Sequence, residues 1–419
     1  MSNKKKYEWS ADGSELPTIP LYAKTKHLVL QEYVKNWIEV LCGHGRHGVK
    51  KVTLVDGFCG GGMYKDGEQL WEGSAIRMIR MVEEGLKNVQ QRKPWHQLDA
   101  EYIFIDNNKE HTSCLELQIK KAGLEEYLYS GKCKIITNEF EKELDRCIDK
   151  VKLRRGYSFF FLDPFGLDVT PEIVKPIISI GRSEVLFTHM LSGLVRILSR
   201  KDRIHKKTFQ DFEVDEYYKD LADQSDFLTK QGYLRNQGLL LYRKEGDVEY
   251  AWTFAIMNSL KNVLYYLIHL SSNPTALEVM KKTLVKYNNL EYQYHYGVYG
   301  LGFRELDYFD KNLSTYNIKE ANIETCMNKL REQFMKILAQ NEDGISFEQL
   351  RLKTIQENPA TIEHYFDVLH QLKLEKEVKV VREKKITTSK KIESKDIIIR
   401  AKDKPLWIPG LPYKFSNEK

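Results

Sequence analysis

KVTLVDGFCGGGMYKDG, residues Lys51 to Gly67, is the stretch that decides the fold. Val52 to Val55 is a short β-branched and aliphatic run with no helical period, bounded by turn residues, and it predicts a buried strand. An acid, Asp56, ends the run. Four glycines follow within six positions: Gly57, Gly60, Gly61 and Gly62. A backbone that turns sharply and comes close to a ligand needs residues without Cβ. In doubly wound α/β folds the ligand lies just beyond the carboxyl end of the strand, at the switch point. A glycine-rich loop with no ligand is the bland alternative. A second strand that also ends in an acid weighs against it.

That second unit is EYIFID, a strand over Glu101 to Ile105 closed by Asp106. Between the two, Glu72-Gly73-Ser74 precedes a helix over Ala75 to Leu86, and a further helix is predicted from Lys109 to Ala122. An acid at the tip of a second strand is placed to accept hydrogen bonds from the hydroxyls of a ribose. Its distance from Asp56 exceeds the roughly 20 residues of a dinucleotide fingerprint, so a nucleoside cofactor other than NAD is the stronger reading. A third strand is predicted at Cys133 to Ile136, followed by Asn138, which is placed either for an adenine edge or for a helix N-cap. The fourth, SFFFL from Ser158 to Leu162, runs into Asp163-Pro164-Phe165-Gly166. Proline fixes that turn, glycine lets it pass close to something, and a third acid again marks a strand end. EVLFT, Glu184 to Thr188, is a fifth strand, and Val263 to Leu270 a sixth, with a helix over Thr275 to Tyr287 behind Asn273-Pro274. Strand–helix units in series predict a parallel sheet with right-handed crossovers. Ahead of them, Leu28 to Leu41 carries apolar residues at spacings of three and four, a helix capped near Thr25. Lys24 and Lys26 there are placed to reach a ligand, with solvated residues at the helix start as the plainer reading.

The frame agrees. At 419 residues two or three domains are expected, and 42% hydrophobic residues supply an ordinary globular core. The six cysteines are scattered and form no CxxC or Cys/His group of metal spacing, so no metal site is predicted. The chain shows no secretory leader and no apolar run of about 18 residues, which points to a cytoplasmic protein that does not enter a membrane.

Residues 193–250 interrupt the strand–helix series and read as an insertion. Arg196, Arg200 and Lys201 lead a basic segment that either tracks phosphates or is a solvated helix face. Residues 291–321, rich in Tyr and Gly, read as a linker or packing surface. From residue 322 a different module is predicted: three helices, then Val378 to Val381 and Ile397 to Ile399 flanking a lysine-rich tip, together a winged helix-turn-helix. Lys373 to Lys404 holds twelve Lys and Arg against six Asp and Glu, the whole surplus of a chain whose formal charge is +6. Lys384, Lys385, Lys390 and Lys391 make the tip a candidate phosphate contact. The third helix offers Glu363 and Asp367 and no arginine, a poor set for reading bases.

DGFCGGG, the acid in FIDNN and the DPFG turn resemble the nucleotide-binding half of a Rossmann-like S-adenosylmethionine-dependent methyltransferase. With KTKHLVLQEYVKNWIEVL, EGSAIR, SEVLFTHM and YYLIHLSSNPTALEVMKKTL, the chain resembles more closely the three-Cys-motif partner protein family over roughly residues 20–290. The resemblance implies a methyltransferase-type doubly wound sheet over 21–290 behind an N-terminal arm (1–20). It also implies S-adenosylmethionine as cofactor and a phage-associated protein with three cysteines as neighbour, in a phage-related or defence setting. Carried over by position, Asp56, Phe58 and Gly60 to Gly62 would hold the cofactor's amino-acid part, and Asp106 and Asn138 its adenosine. Asp163, Pro164 and Phe165 would face the acceptor. Amino-methyltransferases acting on bases carry Asp/Asn-Pro-Pro-Tyr/Phe at this turn. Here the second proline is missing and the aromatic comes one place early, so stacking on a flipped base does not carry over. Two functions stay open: a methyltransferase acting on DNA or RNA, and a non-catalytic nucleic-acid-binding or protein-docking partner that keeps the fold as a scaffold.

Overall fold

The computed structural model describes residues 8–43, 49–164, 166, 169–190, 210–223, 227–258, 263–290, 301–304 and 318–401. The chain divides into two compact units, Met1–Tyr296 with Gly300–Tyr316, and Gly297–Tyr299 with Asn317–Lys419.

In the first unit, helix α1 (Leu21–Gly43) precedes strand β1 (Val49–Asp56), the hairpin β2 (Met63–Asp66) and β3 (Gln69–Glu72), and helix α2 (Ser74–Gln90). Then follow β4 (Gln97–Asp106), α3 (Lys109–Lys121), a short α4 (Glu125–Tyr129), β5 (Cys133–Thr137), α5 (Phe140–Arg154), β6 (Tyr157–Leu162), α6 (Pro171–Ile178) and β7 (Ser183–His189). A one-turn α7 (Val214–Tyr217) leads to α8 (Phe227–Glu245), β8 (Tyr250–Met257), β9 (Val263–Ser271), α9 (Pro274–Tyr287) and β10 (Leu301–Arg304).

Eight strands form one sheet in the order β10-β8-β9-β7-β6-β1-β4-β5. The chain spreads from β1 in both directions, to β4 and β5 on one side and to β6 and β7 on the other, so the switch point lies between β1 and β6. All pairings are parallel except those of β9, which runs antiparallel to β7 and to β8. This is the methyltransferase-type, Rossmann-like doubly wound sheet.

The sheet departs from the sequence reading in three places. The sheet is not wholly parallel, because VLYYLIHL is wedged in reversed between β7 and β8. And β8, YAWTFAIM, is a buried strand beside it that the sequence reading missed. The stretch read as linker or packing surface also contributes an edge strand, β10, paired with β8.

Helix α1 begins four residues before the predicted cap. Pro20 starts it, its carbonyl accepting from Ala23 N and Lys24 N at 3.0 and 3.1 Å. Thr25 therefore lies inside the first turns, its hydroxyl turned back to Leu21 O. Val29, Leu30, Tyr33, Val34 and Ile38 are wholly buried. The helix meets α9 through Asn36 Nδ2, which donates to Thr283 Oγ1 at 3.3 Å, and through Glu32 and Lys286, 3.0 Å apart. Below it, buried Glu184 accepts from Trp37 Nε1 at 2.8 Å and from Tyr33 Oη, with His269 of β9 beside them. All six cysteines are buried and unbridged, and among the described residues no helix is long and apolar enough to cross a membrane.

The second unit contains α10 (Ile318–Ala339), β11 (Ile345–Ser346), α11 (Phe347–Thr354), α12 (Ile362–Leu374), β12 (Val378–Arg382), β13 (Lys385–Ile386) and β14 (Ile397–Arg400). Ser346 and Gln349 form a capping box that starts α11, and Thr361 and His364 do the same for α12. Leu330, Phe334, Leu350, Tyr365, Leu369 and Val380 are among its core residues. The strands make an antiparallel sheet in the order β11-β14-β12-β13, so the wing has more strands than the expected two.

Candidate active site

Register places the three strand-tip acids. Asp56 lies opposite Phe104 of β4 and Phe161 of β6. Asp106 and Asp163 therefore stand two residues further out than Asp56, about 6–7 Å at the usual rise. They flank it on neighbouring strands and leave the pleat on the same side as it does. The glycine loop fills the notch between them, with Gly57 N bonded to Phe161 O at 3.0 Å and Cys59 N to Ile105 O at 2.9 Å.

Asp56 lies under this loop, fully buried. It accepts from Phe58 N at 3.1 Å and from Ser74 Oγ at 2.5 Å, and so joins the loop to the start of α2. Burial pushes its carboxyl up to about 7 despite these bonds, and the charges of Asp163 and Asp106 push the same way. The residue acts as an internal strut. Phe58 is half-buried and lies against Phe140.

Asp106 accepts from Gly60 N at 3.1 Å and from Asn108 N at 2.9 Å, and His111 Nδ1 is 3.1 Å from its Oδ1. A carboxylate has about four lone-pair sites, so room for one more donor is left without rearrangement. Asn138 donates from Nδ2 to buried Glu143 at 2.6 Å, and its Oδ1 accepts from Glu139 N. Its carbonyl oxygen is thus partly used in starting α5.

Asp163 is held from both sides. Lys26 of α1 forms an ion pair with it, and Thr188, next to it in the register of β7, donates from Oγ1 at 2.7 Å. Lys26 is 8% exposed and lies over the Tyr265 ring. It is a buried partner of the site, not a solvated helix end. Its neighbour Lys24 is paired with Asp66. His27, buried beside Lys26 and Arg77, has its imidazole held well below the usual range by burial, and its Nδ1 accepts from Trp71 Nε1 at 3.0 Å. Pro164 follows Asp163 in the turn, and Phe165 lies outside the described residues.

The glycines have protein neighbours of their own. A Cβ at Gly61 would lie 2.2 Å from Trp9 Cγ, and one at Gly62, where φ is +77°, 2.5 Å from Leu115. Trp9 is 3% exposed and donates from Nε1 to Met63 O at 2.5 Å. The arm behind it joins the hairpin through Ile19 N to Lys65 O and Lys65 N to Pro17 O, both 2.9 Å. So the close approach that glycine permits is made, at Gly61, by the N-terminal arm. Sequence reasoning missed Trp9, Ser74, His111 and Thr188, and set Lys26 at a helix start without its partner. Ser74, Thr188 and Lys26 stood inside quoted motifs and His111 just after one; Trp9 stood in none.

In the second unit, Lys384, Lys385, Lys390 and Lys391 are exposed on the wing. Glu383 and Lys384 both have positive φ, a tight hairpin tip. Lys390 is 3.1 Å from Asp367 of α12, an exposed ion pair between wing and helix. Arg196, Arg200 and Lys201 lie outside the described residues. Among the described residues no group of His, Cys, Asp and Glu is arranged to hold a metal ion.

The first unit has a methyltransferase-like Rossmann fold, and the chain continues into a winged helix-turn-helix. Residues 307–385 match the family described as GMT-like wHTH domain. Among solved structures, the METTL16 methyltransferase domain is 13% identical, with 62% of this chain and 70% of that chain covered at a TM-score of 0.29. The N-terminal domain of human METTL16 in complex with SAH is 12% identical, covering 62% and 73% at 0.26. A SAM-dependent methyltransferase from Agrobacterium tumefaciens is 13% identical, covering 62% and 65% at 0.30. Similarity this remote says nothing of substrate. No curated protein matches the chain.

Proposed function

We propose that the chain is an S-adenosylmethionine-dependent methyltransferase acting on nucleic acid. The observation that carries the reading is the placement of Asp106 and Asp163 on either side of the glycine loop, at the switch point of the sheet. When bound, the cofactor supplies a methyl group on a sulfonium that leaves as a neutral thioether, so the protein's task is alignment and exclusion of water. Asp106 receives the ribose, Asn138 borders the adenine, and Phe58 with the backbone of Gly60 to Gly62 holds the amino-acid part, above the Asp56 strut. Asp163, a quarter exposed, faces the acceptor in the turn fixed by Pro164, with Phe165 next in the chain. The basic wing, helped by Arg196, Arg200 and Lys201, contacts phosphates of DNA or RNA.

Calorimetry with S-adenosylhomocysteine tests the cofactor. Asp106→Ala should lose at least tenfold in affinity, from roughly 1.5–3 kcal/mol for a hydrogen bond to a charged group. Absence of binding by the wild-type chain at millimolar ligand refutes the reading. Asp163→Asn should leave that affinity within a few-fold and abolish transfer.

A second reading is a non-catalytic partner that keeps the fold as scaffold. It is favoured by one observation: Lys26 and Thr188 already occupy both oxygens of Asp163. In that reading, as in the first, the resemblance to three-Cys-motif partner proteins makes a three-cysteine, phage-associated protein the associate to seek by co-purification from a cytoplasmic extract.

A further inference from the structure

His111 stands in the first turn of α3, five residues after Asp106, and does nothing visible for the helix. Its Nδ1 faces Asp106 Oδ1 at 3.1 Å. A carboxylate only accepts, so the imidazole donates from Nδ1–H, and in the neutral ring that leaves Nε2 a bare acceptor. That Nε2 is buried and has no hydrogen-bond partner. An unpartnered polar atom under cover is costly, and native proteins keep few of them without a reason. The cover is Trp9, whose ring stands edge-on to the imidazole with centroids 4.8 Å apart and lies against Gly60 and Gly61. Trp9 belongs to the arm, which is tied to the hairpin by backbone bonds at Pro17, Ile19 and Lys65 and is not part of the large sheet.

Resting on the cofactor reading above, we infer that Asp106 and His111 together receive the ribose diol, and that the arm is a cover which moves off His111 when the cofactor binds. Asp106 has room for one further donor, too little for two hydroxyls. His111 Nε2 supplies the second acceptor, and Asp106 keeps the ring in the tautomer that can accept. Trp9 lies over the pair, and Nε2 stays unsatisfied until a hydroxyl reaches it.

Two measurements test this. In the first, S-adenosylhomocysteine and its 2′-deoxy and 3′-deoxy analogues are titrated into wild type, His111→Ala and His111→Gln. The expected result for His111→Ala is a roughly tenfold loss on the parent ligand and no loss on the analogue lacking the hydroxyl that His111 receives. Gln, whose amide oxygen accepts, should recover part of it. Equal losses on all three ligands would mean that His111 only supports Asp106, and the shared-diol assignment falls. It falls also if wild type binds none of the ligands, together with the cofactor reading.

The second measurement needs no ligand. Diethylpyrocarbonate modification of His111 is followed by peptide mass spectrometry in wild type, Trp9→Phe and Trp9→Ala, each first checked for folding by circular dichroism. Slow modification in wild type and Trp9→Phe, and at least tenfold faster modification in Trp9→Ala, is expected. Where wild type binds S-adenosylhomocysteine, the adduct should also be blocked by saturating ligand. Fast modification of the wild type, or the same slow rate in Trp9→Ala, overturns the cover.

Discussion

The pairing of Lys26 with Asp163 makes a strong demand on stability that must be separated from any role in chemistry. Removing one member of a buried ion pair costs about 3–5 kcal/mol, because a charge is left without a partner. Here the two sides differ. Lys26 keeps 10% of its side chain exposed and Asp163 24%, so water reaches the carboxylate more readily than the ammonium. Lys26→Met leaves Asp163 with the Thr188 hydroxyl and some water, and should cost about 1–2 kcal/mol. Asp163→Asn leaves the ammonium sealed against the Tyr265 ring with only an amide oxygen, and should cost about 2–4 kcal/mol. The double variant loses both charges at once and should cost little more than Lys26→Met alone, giving a coupling of about 2 kcal/mol or more. Urea unfolding of the full chain, followed by circular dichroism and intrinsic fluorescence, measures all three. Only the transition of the first unit enters, since two units need not unfold together. Single costs that add to within about 0.5 kcal/mol would refute the buried-pair reasoning. A loss of transfer in Asp163→Asn then counts as chemical only where the variant is shown to be folded.

Asp56 predicts a pH dependence. Its folded carboxyl is raised to about 7 by burial, so between the ordinary carboxylate range and 7 the folded state holds a proton that the unfolded state has lost. The contribution is complete below about pH 4, falls as pH rises and is gone above 7, at most about 4 kcal/mol; Asp56→Asn should flatten the stability profile in that window, and an unchanged profile would show the shift to be absent. Gly61→Ala places a methyl inside the Trp9 ring. It should cost about 1–3 kcal/mol by overpacking and speed proteolysis of the arm, whereas an intact arm in the variant would mean that the loop yields instead. Replacing Lys384, Lys385, Lys390 and Lys391 with Ser should lower the salt slope of duplex binding, measured by anisotropy, by roughly two to three units. Lys390 is spent on Asp367, so the full four are not expected, and an unchanged slope would make the wing a protein-docking surface.

The strands around the switch point were legible because each is a short apolar run that stops at an acid, and a carboxylate at a strand end is hard to place anywhere but at an edge. Direction was not legible. Val263 to Leu270 is buried on both faces from Tyr265 on, and an apolar run reads the same whichever way it lies in a sheet. YAWTFAIM carries Tyr, Trp, Thr, Phe and Ile among its eight residues, a strand signal that could have been found although no Gly or Pro closes it. The β2–β3 hairpin also carried a signal, glycine at the first turn position with φ +60° at Gly67, and could have been found. At the site, the acids were visible in sequence and their partners were not. Lys26 and Thr188 reach Asp163 from a distant helix and from the next strand, and Trp9 reaches the loop from the arm. A contact across the chain leaves no local pattern.

The packing of α1 against α9 sets a timetable for synthesis. Helix α1, made before the sheet, finds Thr283 and Lys286, and with them His269 beside Tyr33, only when β9 and α9 have been made. At about 5–20 residues per second that wait is on the order of tens of seconds. Throughout it Val29, Leu30, Val34 and Trp37, all buried in the finished protein, have no complete surface to lie on. A nascent chain halted after β7 therefore offers α1 the surface of α2 and Glu184 but not that of β9 and α9, so the helix is only partly covered.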